Sequence, residues 1–423
     1  MDVVAEGPAY VSLLLLHYLV SATLLATTPK HSRLRYLALP CLYWTISQVV
    51  KPVISTTPTR CNVIALFGIS AAQAVRLLLI EPRDDKDLAE KLAESSPSFP
   101  SRLWRAIRML WGTRAVNTSW QVKNIPSHPA YFTRRGMHVP PRGRFLLRQC
   151  FIFIWQYLVL DIFHTLRVQQ LSEQGEYTGF TELQWAVPID QWIERIISNL
   201  VTWFIIGRLV LDSHYRFLSF VCVGLDLNSP AEWPPAFGRM ADAYTLRNYW
   251  GKFWHQFLRQ PFTAVSSFLT RDVLGLPRPS LLERYTNIFL VFLLSGILHV
   301  MIDYGQCVPV HYSGSLHYFL SFVCGIMIED GAQSLFRYMC LSKPSSTKQD
   351  DGTLLWRRVV GWIWIMGWIG IFSTWYLHPL RETPQDQYAL IPFSLAAYIG
   401  LQPVVGIVVV GGVIVGICFQ VEI

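Results

Sequence analysis

The sequence predicts an all-α protein, a polytopic transmembrane helical bundle of roughly eight to ten spans. Three observations predict it. Of 423 residues, 52% are hydrophobic and only 15% are charged, against about 25% charged in an ordinary soluble domain. That charge cannot cover the wet surface of two or three soluble domains. Apolar runs of about 20 residues, the length that crosses a bilayer, recur along the chain. The basic residues collect in alternate connecting segments, as they do on the cytoplasmic side of membrane proteins. Soluble globular, disordered and disulfide-scaffold classes are excluded together.

The first apolar run covers residues 9–28. It follows MDVVAEGP, acidic where a signal peptide carries positive charge, so it reads as an uncleaved span. Further runs cover 36–54, 61–80, 149–166, 193–211, 285–303, 315–336, 359–378 and 388–419. The last is too long for one upright helix, and Pro392 and Pro403 are expected to divide it. Residues 214–225 are apolar but short, which predicts a re-entrant or kinked piece. The whole chain, 1–423, reads as one integral-membrane domain without internal repeats. Residues 81–148 form its basic cytoplasmic loop, with 88–100 a polar linker.

Orientation follows from the connecting segments. TPKHSRLR after the first run is basic, as is LSKPSSTKQDDGTLLWRR at 341–358. Residues 95–148 hold nine Arg and one Lys without an Asp or Glu. The N-terminus, 172–190 and 305–314 are acidic or lack Lys and Arg. With the runs above, every basic segment falls on one side, which is therefore cytoplasmic. The net charge of +8 thus belongs to a membrane face, and nucleic acid is not a partner. Arg102, Arg105 and Arg108 recur every third residue among Leu103, Trp104, Ile107, Leu110 and Trp111. That pattern predicts an amphipathic helix in the headgroup layer against membrane lipid. A second reading has the same arginines attract a phosphorylated acyl carrier.

The eight cysteines include no C-x-x-C pair and sit mostly in apolar runs, so neither a disulfide framework nor a zinc site is expected. No two of the eleven histidines lie three or four apart, which disfavours the clustered His boxes of membrane di-iron enzymes. His311 and His317, beside a loop, are not read as a metal site. His17 and His164 are single histidines within runs, for which an interhelical hydrogen bond is expected.

His299 differs in context. It lies in RYTNIFLVFLLSGILHVMIDYG, near the far end of an otherwise apolar run, where an ionisable side chain is costly and marks a functional candidate. Ser295 one turn before and Asp303 one turn after share its face. Asp303 is expected to orient or charge-stabilise the imidazole. Burial disfavours the imidazolium and keeps a neutral nitrogen available as a base. Structural hydrogen bonding is the other reading.

The second constellation is TLRNYWGKFWHQFLRQPF, residues 245–262. On a continuous helix Tyr249, Phe253 and Gln256 form one row, and Trp250, Trp254 and Phe257 the next. Arg247, Lys252 and Arg259 punctuate it. An interfacial aromatic belt is one reading. The polar pair His255 and Gln256 inside so much aromatic surface favours another.

These residues carry a resemblance. NYWGKFWHQFLRQ, followed by FLLSGILH, resembles the wax-synthase-like branch of the membrane-bound O-acyltransferase superfamily. In that family an F-W-x-x-x-W-H-Q-like block precedes the helix that bears the essential histidine. Tyr249 stands where Phe is common, and Phe253 where a basic residue often stands. The resemblance is strongest over 240–303 and is closest to fungal members that acetylate terpenoid or meroterpenoid alcohols.

It implies an acyl-CoA-dependent O-acyltransferase, with acetyl-CoA as co-substrate, a hydrophobic alcohol as acceptor, no permanently bound cofactor and no metal. The endoplasmic reticulum is the membrane expected. His299 would be the active histidine, taking the acceptor's hydroxyl proton. His255 falls where relatives place Asn or His, and would donate to the thioester oxygen or hold the acceptor. Trp250 and Trp254 would shape the cavity wall. Gln256, Arg247, Lys252 and Arg259 would meet CoA, with Ser295 and Asp303 beside the histidine. Long-chain wax-ester synthesis is the alternative within the family. A transporter would instead show paired charges in broken helices and repeat symmetry, neither of which the sequence carries.

Overall fold

The computed structural model describes residues 3–50, 60–84, 86–89, 98–133, 139–173, 179–341, 351–383 and 390–419. Most of the polar linker 88–100, Arg134, Arg135 and the lysines of the basic segment 341–358 lie outside them. Among the described residues, eight helices are long and apolar enough to cross a membrane. The chain forms two compact units, each assembled from separated stretches: 1–122 with 257–323, and 123–256 with 324–423.

In the first unit, α1 (Val3–Thr27), α2 (Ala38–Val50) and α3 (Arg60–Val75, continued by a π-turn, Arg76–Ile80) pack as neighbours. Leu25 and Ala26 of α1 meet Ala38 and Leu42 of α2 and Leu78 of α3 in one apolar cluster. Tyr10, Val49 and Ile64 meet in another. Each helix therefore contributes one end to each cluster, and α2 runs antiparallel to both neighbours. Its residues rise only about 20 Å, so it falls outside the eight. It still carries the chain from one end of the unit to the other, the alternation that the run 36–54 predicts.

The connections at one end are tied by buried arginine. Arg35 donates from Nε to the Thr28 hydroxyl at 3.0 Å and from Nη2 to the Thr28 carbonyl at 2.9 Å. Lys30 pairs with Asp87 at 2.8 Å, which raises the lysine pKa. The arginine-rich segment forms α4 (Phe99–Trp111), as its spacing predicts. It does not simply lie in headgroups. Ala106, Met109 and Leu110 are buried against α1 and α3, Arg105 is buried with them, and Arg102 reaches the Ala26 carbonyl. One face is buried, while Phe99 and Trp104 remain exposed.

His17 takes the expected interhelical role, with Nδ1 3.2 Å from Thr45 Oγ1 and Nε2 3.0 Å from Ser70 Oγ. The unit is completed by α7 (Arg259–Ser267), by α8 (Leu281–Gly305) and by the beginning of α9 (Ser315–Leu341). The intervening α5 and α6 belong to the second unit. Ser280 caps α8 by accepting from the Glu283 amide at 3.0 Å. Leu298 of α8 lies against Gly68 of α3, where a β-carbon would collide with it.

In the second unit α5 (Arg142–Glu173) lies antiparallel to α6 (Ile189–Gly224), with Arg142 donating to the Gly224 carbonyl at 2.9 Å. The short run 214–225 is therefore no re-entrant piece. It is the last part of one helix that contains a π-turn at Thr202–Gly207. α10 (Asp351–Arg381) packs on α6, where Asn199 donates to the Gly370 carbonyl at 2.7 Å and to Thr374 Oγ1 at 2.8 Å. α11 (Leu401–Phe419) packs on α5, with the Trp155 indole donating to the Val408 carbonyl at 3.0 Å.

The division of the last apolar run falls at Gly400, whose φ of 89° an L side chain rarely adopts, rather than at a proline. Pro403 sits in the first turn of α11, where a missing N–H costs nothing. Asp161, a charge within a span, accepts from the Ser394 hydroxyl at 2.6 Å and the Ala396 amide at 2.9 Å just before that break.

Candidate active site

The first unit contains His299, Ser295, Asp303 and Arg259; the second contains Arg247, Trp250, Lys252, Trp254, His255 and Gln256.

α8 continues through Asp303 to Gly305, so Ser295, His299 and Asp303 do share one helix face. The pairing of Asp303 with His299 is not what the structure shows. His299 Nδ1 lies 2.7 Å from the Ser295 carbonyl oxygen. A carbonyl only accepts, so Nδ1 carries the hydrogen and Nε2 keeps the lone pair. The Phe319 ring, from α9, covers the imidazole at 4.2 Å between centroids. Asp303 is fully buried and turns to the α8–α9 connection, where its Oδ2 accepts from Ser313 at 2.5 Å and Ser315 at 2.6 Å. The two hydroxyls sit next to the start of α9 and are closer than the imidazole, so the carboxylate serves the turn. Gly296 lets α9 approach: a β-carbon there would stand 2.9 Å from Leu316 Cδ1 and 3.6 Å from Phe319 Cβ.

In the second unit the aromatic block is not a continuous helix. Tyr249–Phe253 form a π-turn, and Trp254 is extended, with φ −66° and ψ 150°. The rows drawn along 245–262 therefore end at Phe253. Gln256 turns back instead and donates its amide to the carbonyls of Trp250 at 2.8 Å and Trp254 at 2.6 Å. The Gly238 amide donates to the Phe253 carbonyl at 2.8 Å, and a β-carbon on Gly238 would strike Lys252. Buried backbone polar groups must find partners. Here the partners come from the loop before the block and from one side chain within it.

The rings are stacked in sequence. Trp254 lies parallel to Trp203 of α6, at 5.2 Å and 14°. The Trp203 indole donates to the Tyr249 hydroxyl at 2.7 Å. Burial holds the Tyr249 phenol well above its ordinary pKa, so it remains a neutral acceptor. Phe237 stands perpendicular to Trp254 at 5.2 Å and to His255 at 6.1 Å. The His255 ring is thus held edge-on by Phe237 and beside Trp254, half-buried. Below the block, the Leu246 amide donates to Glu329 Oε2 at 2.7 Å, and Arg247 pairs with Asp330 at 2.7 Å. Lys252 is exposed, and Arg259, at the start of α7, is half-buried. Burial lowers the Arg259 pKa.

Trp203, Phe237 and Arg208 were not among the sequence candidates. Trp203 and Phe237 carry no signal apart from aromaticity. Arg208 does carry one, as a cation within the apolar run 193–211, one turn from its end. It follows the π-turn of α6, and its guanidinium lies 5.7 Å from the Phe237 ring and 5.6 Å from the Phe253 ring. Among the described residues it makes neither a hydrogen bond nor an ion pair. Asp212, one turn on, is taken at Oδ2 by Arg216 Nε and Gln156 Nε2, each at 2.7 Å. An arginine at mid-span costs about 2.5–3.5 kcal/mol, and each aromatic face returns about 0.5–2 kcal/mol. Rings accept none of the five N–H donors in full hydrogen bonds, so the stack offsets the charge without satisfying the donors.

A model of the membrane bound O-acyl transferase family matches residues 233–323, the stretch that holds the aromatic block and α8. The chain is 38% identical over 414 residues to the acetyltransferase atnC of an Arthrinium species, covering 94% of this chain and 93% of that protein. It is 37% identical over 423 residues to the acetyltransferase spyB of Aspergillus fumigatus, covering 97% and 70%. It is 35% identical over 373 residues to the acetyltransferase TRI7 of Fusarium sporotrichioides, covering 86% and 83%. No solved structure matches the chain.

Proposed function

Because the chain belongs to the membrane bound O-acyl transferase family and is a multi-pass membrane acyltransferase, we propose that it acetylates a hydrophobic alcohol of terpenoid or meroterpenoid type, with acetyl-CoA as donor. The donor is a soluble thioester and the acceptor partitions into the bilayer, so a membrane-embedded site gives both access. The membrane proposed is that of the endoplasmic reticulum.

The observation that carries this reading is the commitment of His299 Nδ1–H to the Ser295 carbonyl within an apolar span. It leaves Nε2 unprotonated as a general base, a role that contributes about 10²–10⁴-fold. The acceptor hydroxyl gives its proton to Nε2 as its oxygen bonds to the thioester carbonyl carbon. The carbonyl electron pair moves onto oxygen, then returns as the carbon–sulfur bond breaks. The CoA thiolate leaves and takes the proton from the imidazolium. No acyl-enzyme is required, and the sequence holds no G-x-S-x-G. His255 is given the electrophilic role, donating to the thioester oxygen, with Trp254, Trp250 and Gln256 fixing its backbone and ring. Arg247, exposed and paired with Asp330, is given contact with CoA together with Gln256, Lys252 and Arg259.

Microsomes from cells expressing the protein, given labelled acetyl-CoA or palmitoyl-CoA with sterol, terpenoid and long-chain alcohols, test the assignment. Labelled acetate ester of a polycyclic alcohol is the expected product. Palmitate esters of long-chain alcohols in its place would make the enzyme a wax-ester synthase. No ester from any pair would remove the reading.

A further inference from the structure

Arg208 stands midway along α6 without an ion pair among the described residues, Asp212 one turn on acting on it through space, and its neighbours point to what it serves. α6 is one helix from Ile189 to Gly224. At 1.5 Å per residue, Arg208 lies about 24 Å from one end and about 28 Å from the other. The side chain is half-buried, leaving its donors open to a ligand rather than sealed in packing. It faces Phe237, which meets both His255 and Trp254, and Phe253, which meets Trp254, so it stands with the residue given the thioester oxygen rather than with the donor's phosphates. The carboxylate nearest along its own helix, Asp212, is occupied by Arg216 and Gln156.

We propose that Arg208 is a catalytic residue, the fixed cation that faces the negative charge developing on the thioester as the acceptor adds. The inference rests on acyl transfer at the His255 block as proposed above. In the addition step the carbonyl electron pair moves to oxygen, and in the collapse the carbon–sulfur pair leaves with CoA. Both steps gather negative charge at one place, and Arg208 accompanies it without losing a proton. A fixed cation in a water-poor site acts most strongly on charge that appears only in the transition state. Its effect therefore belongs in kcat rather than KM.

The test uses full-length protein in microsomes, normalised by protein amount, with acetyl-CoA and with S-acetyl-pantetheine, which carries the thioester but no phosphate. Arg208→Gln is expected to lower kcat about 10²–10³-fold with both donors, with KM for acetyl-CoA changed less than about threefold. Arg208→Leu suits an apolar span, so it serves should Arg208→Gln fail to accumulate, and the same loss is expected. In combination with His255→Ala the losses are expected to fall well short of multiplying, since both groups act on one charge. A raised KM for acetyl-CoA alone, with S-acetyl-pantetheine unaffected, would reassign Arg208 to the donor's phosphates and overturn the proposal. Full kcat in Arg208→Leu would overturn it as well. Absence of ester from the wild type would instead count against acyl transfer itself.

Discussion

His299 and Asp303 show how much one hydrogen bond decides. The histidine stood out in the sequence because an ionisable side chain inside FLLSGILHVM is costly, and the family resemblance gave it a role that position alone left open against structural hydrogen bonding. Its partner was not legible, since the rotamer chooses between a carboxylate one turn ahead and a carbonyl one turn behind. The structure shows the carbonyl, with Asp303 Oδ2 turned to Ser313 and Ser315 instead. Asp303 then acts on stability rather than on the proton. Asp303→Ala strands two hydroxyls beside a buried turn, at about 1–3 kcal/mol. A thermal-inactivation series in detergent should show the midpoint fall, while Asp303→Asn, which still accepts, recovers most of it. Turnover per folded Asp303→Asn molecule should stay within about tenfold of wild type, in line with a group that touches no reacting atom. A loss as deep as that of a histidine variant would restore Asp303 to the site.

At the scale of elements, the lesson is in the aromatic block. Its spacing suits a helix, and a local reading continues that helix through His255. The break at Trp254 comes from partners distant in sequence: Gly238 on the Phe253 carbonyl, and Trp203 stacked on Trp254. Gln256 then closes two carbonyls the helix leaves open. Sequence periodicity carries no information about such partners. Trp203→Phe keeps the stacked ring and removes the donor to Tyr249. The unpaired, buried phenol should cost about 1–3 kcal/mol, read as a lower midpoint. The α8–α9 crossing makes a second prediction. Gly296→Val drives a branched side chain into Leu316 and Phe319, an overpacking worth about 1–3 kcal/mol. Gly406→Val in α11, where a β-carbon meets nothing within 4 Å, should leave the midpoint unchanged.

For the whole molecule, composition alone was enough to specify a membrane protein. Spans 9–28, 61–80, 285–303 and 315–336 return as helices. The run 36–54 holds α2, shorter than a lone span needs, yet running end to end within its unit. The division into two interleaved units was not legible. Lipid-facing and packed positions in such helices are both apolar, so the sequence does not say which distant spans pair. Orientation remains a prediction. Single cysteines placed at 117 and at 183 in an otherwise cysteine-free variant should label from opposite sides of sealed microsomes, with 117 accessible from the cytosol. Labelling of both from one side would reverse the reading of the basic segments.

Acyl transfer by this chain turns on the base assigned to His299. Ester formation from labelled acetyl-CoA by His299→Ala and His299→Gln, at matched protein in microsomes, should fall at least about 10²-fold from wild type, with KM for acetyl-CoA little changed. Ester formation at the wild-type rate by either variant would contradict it.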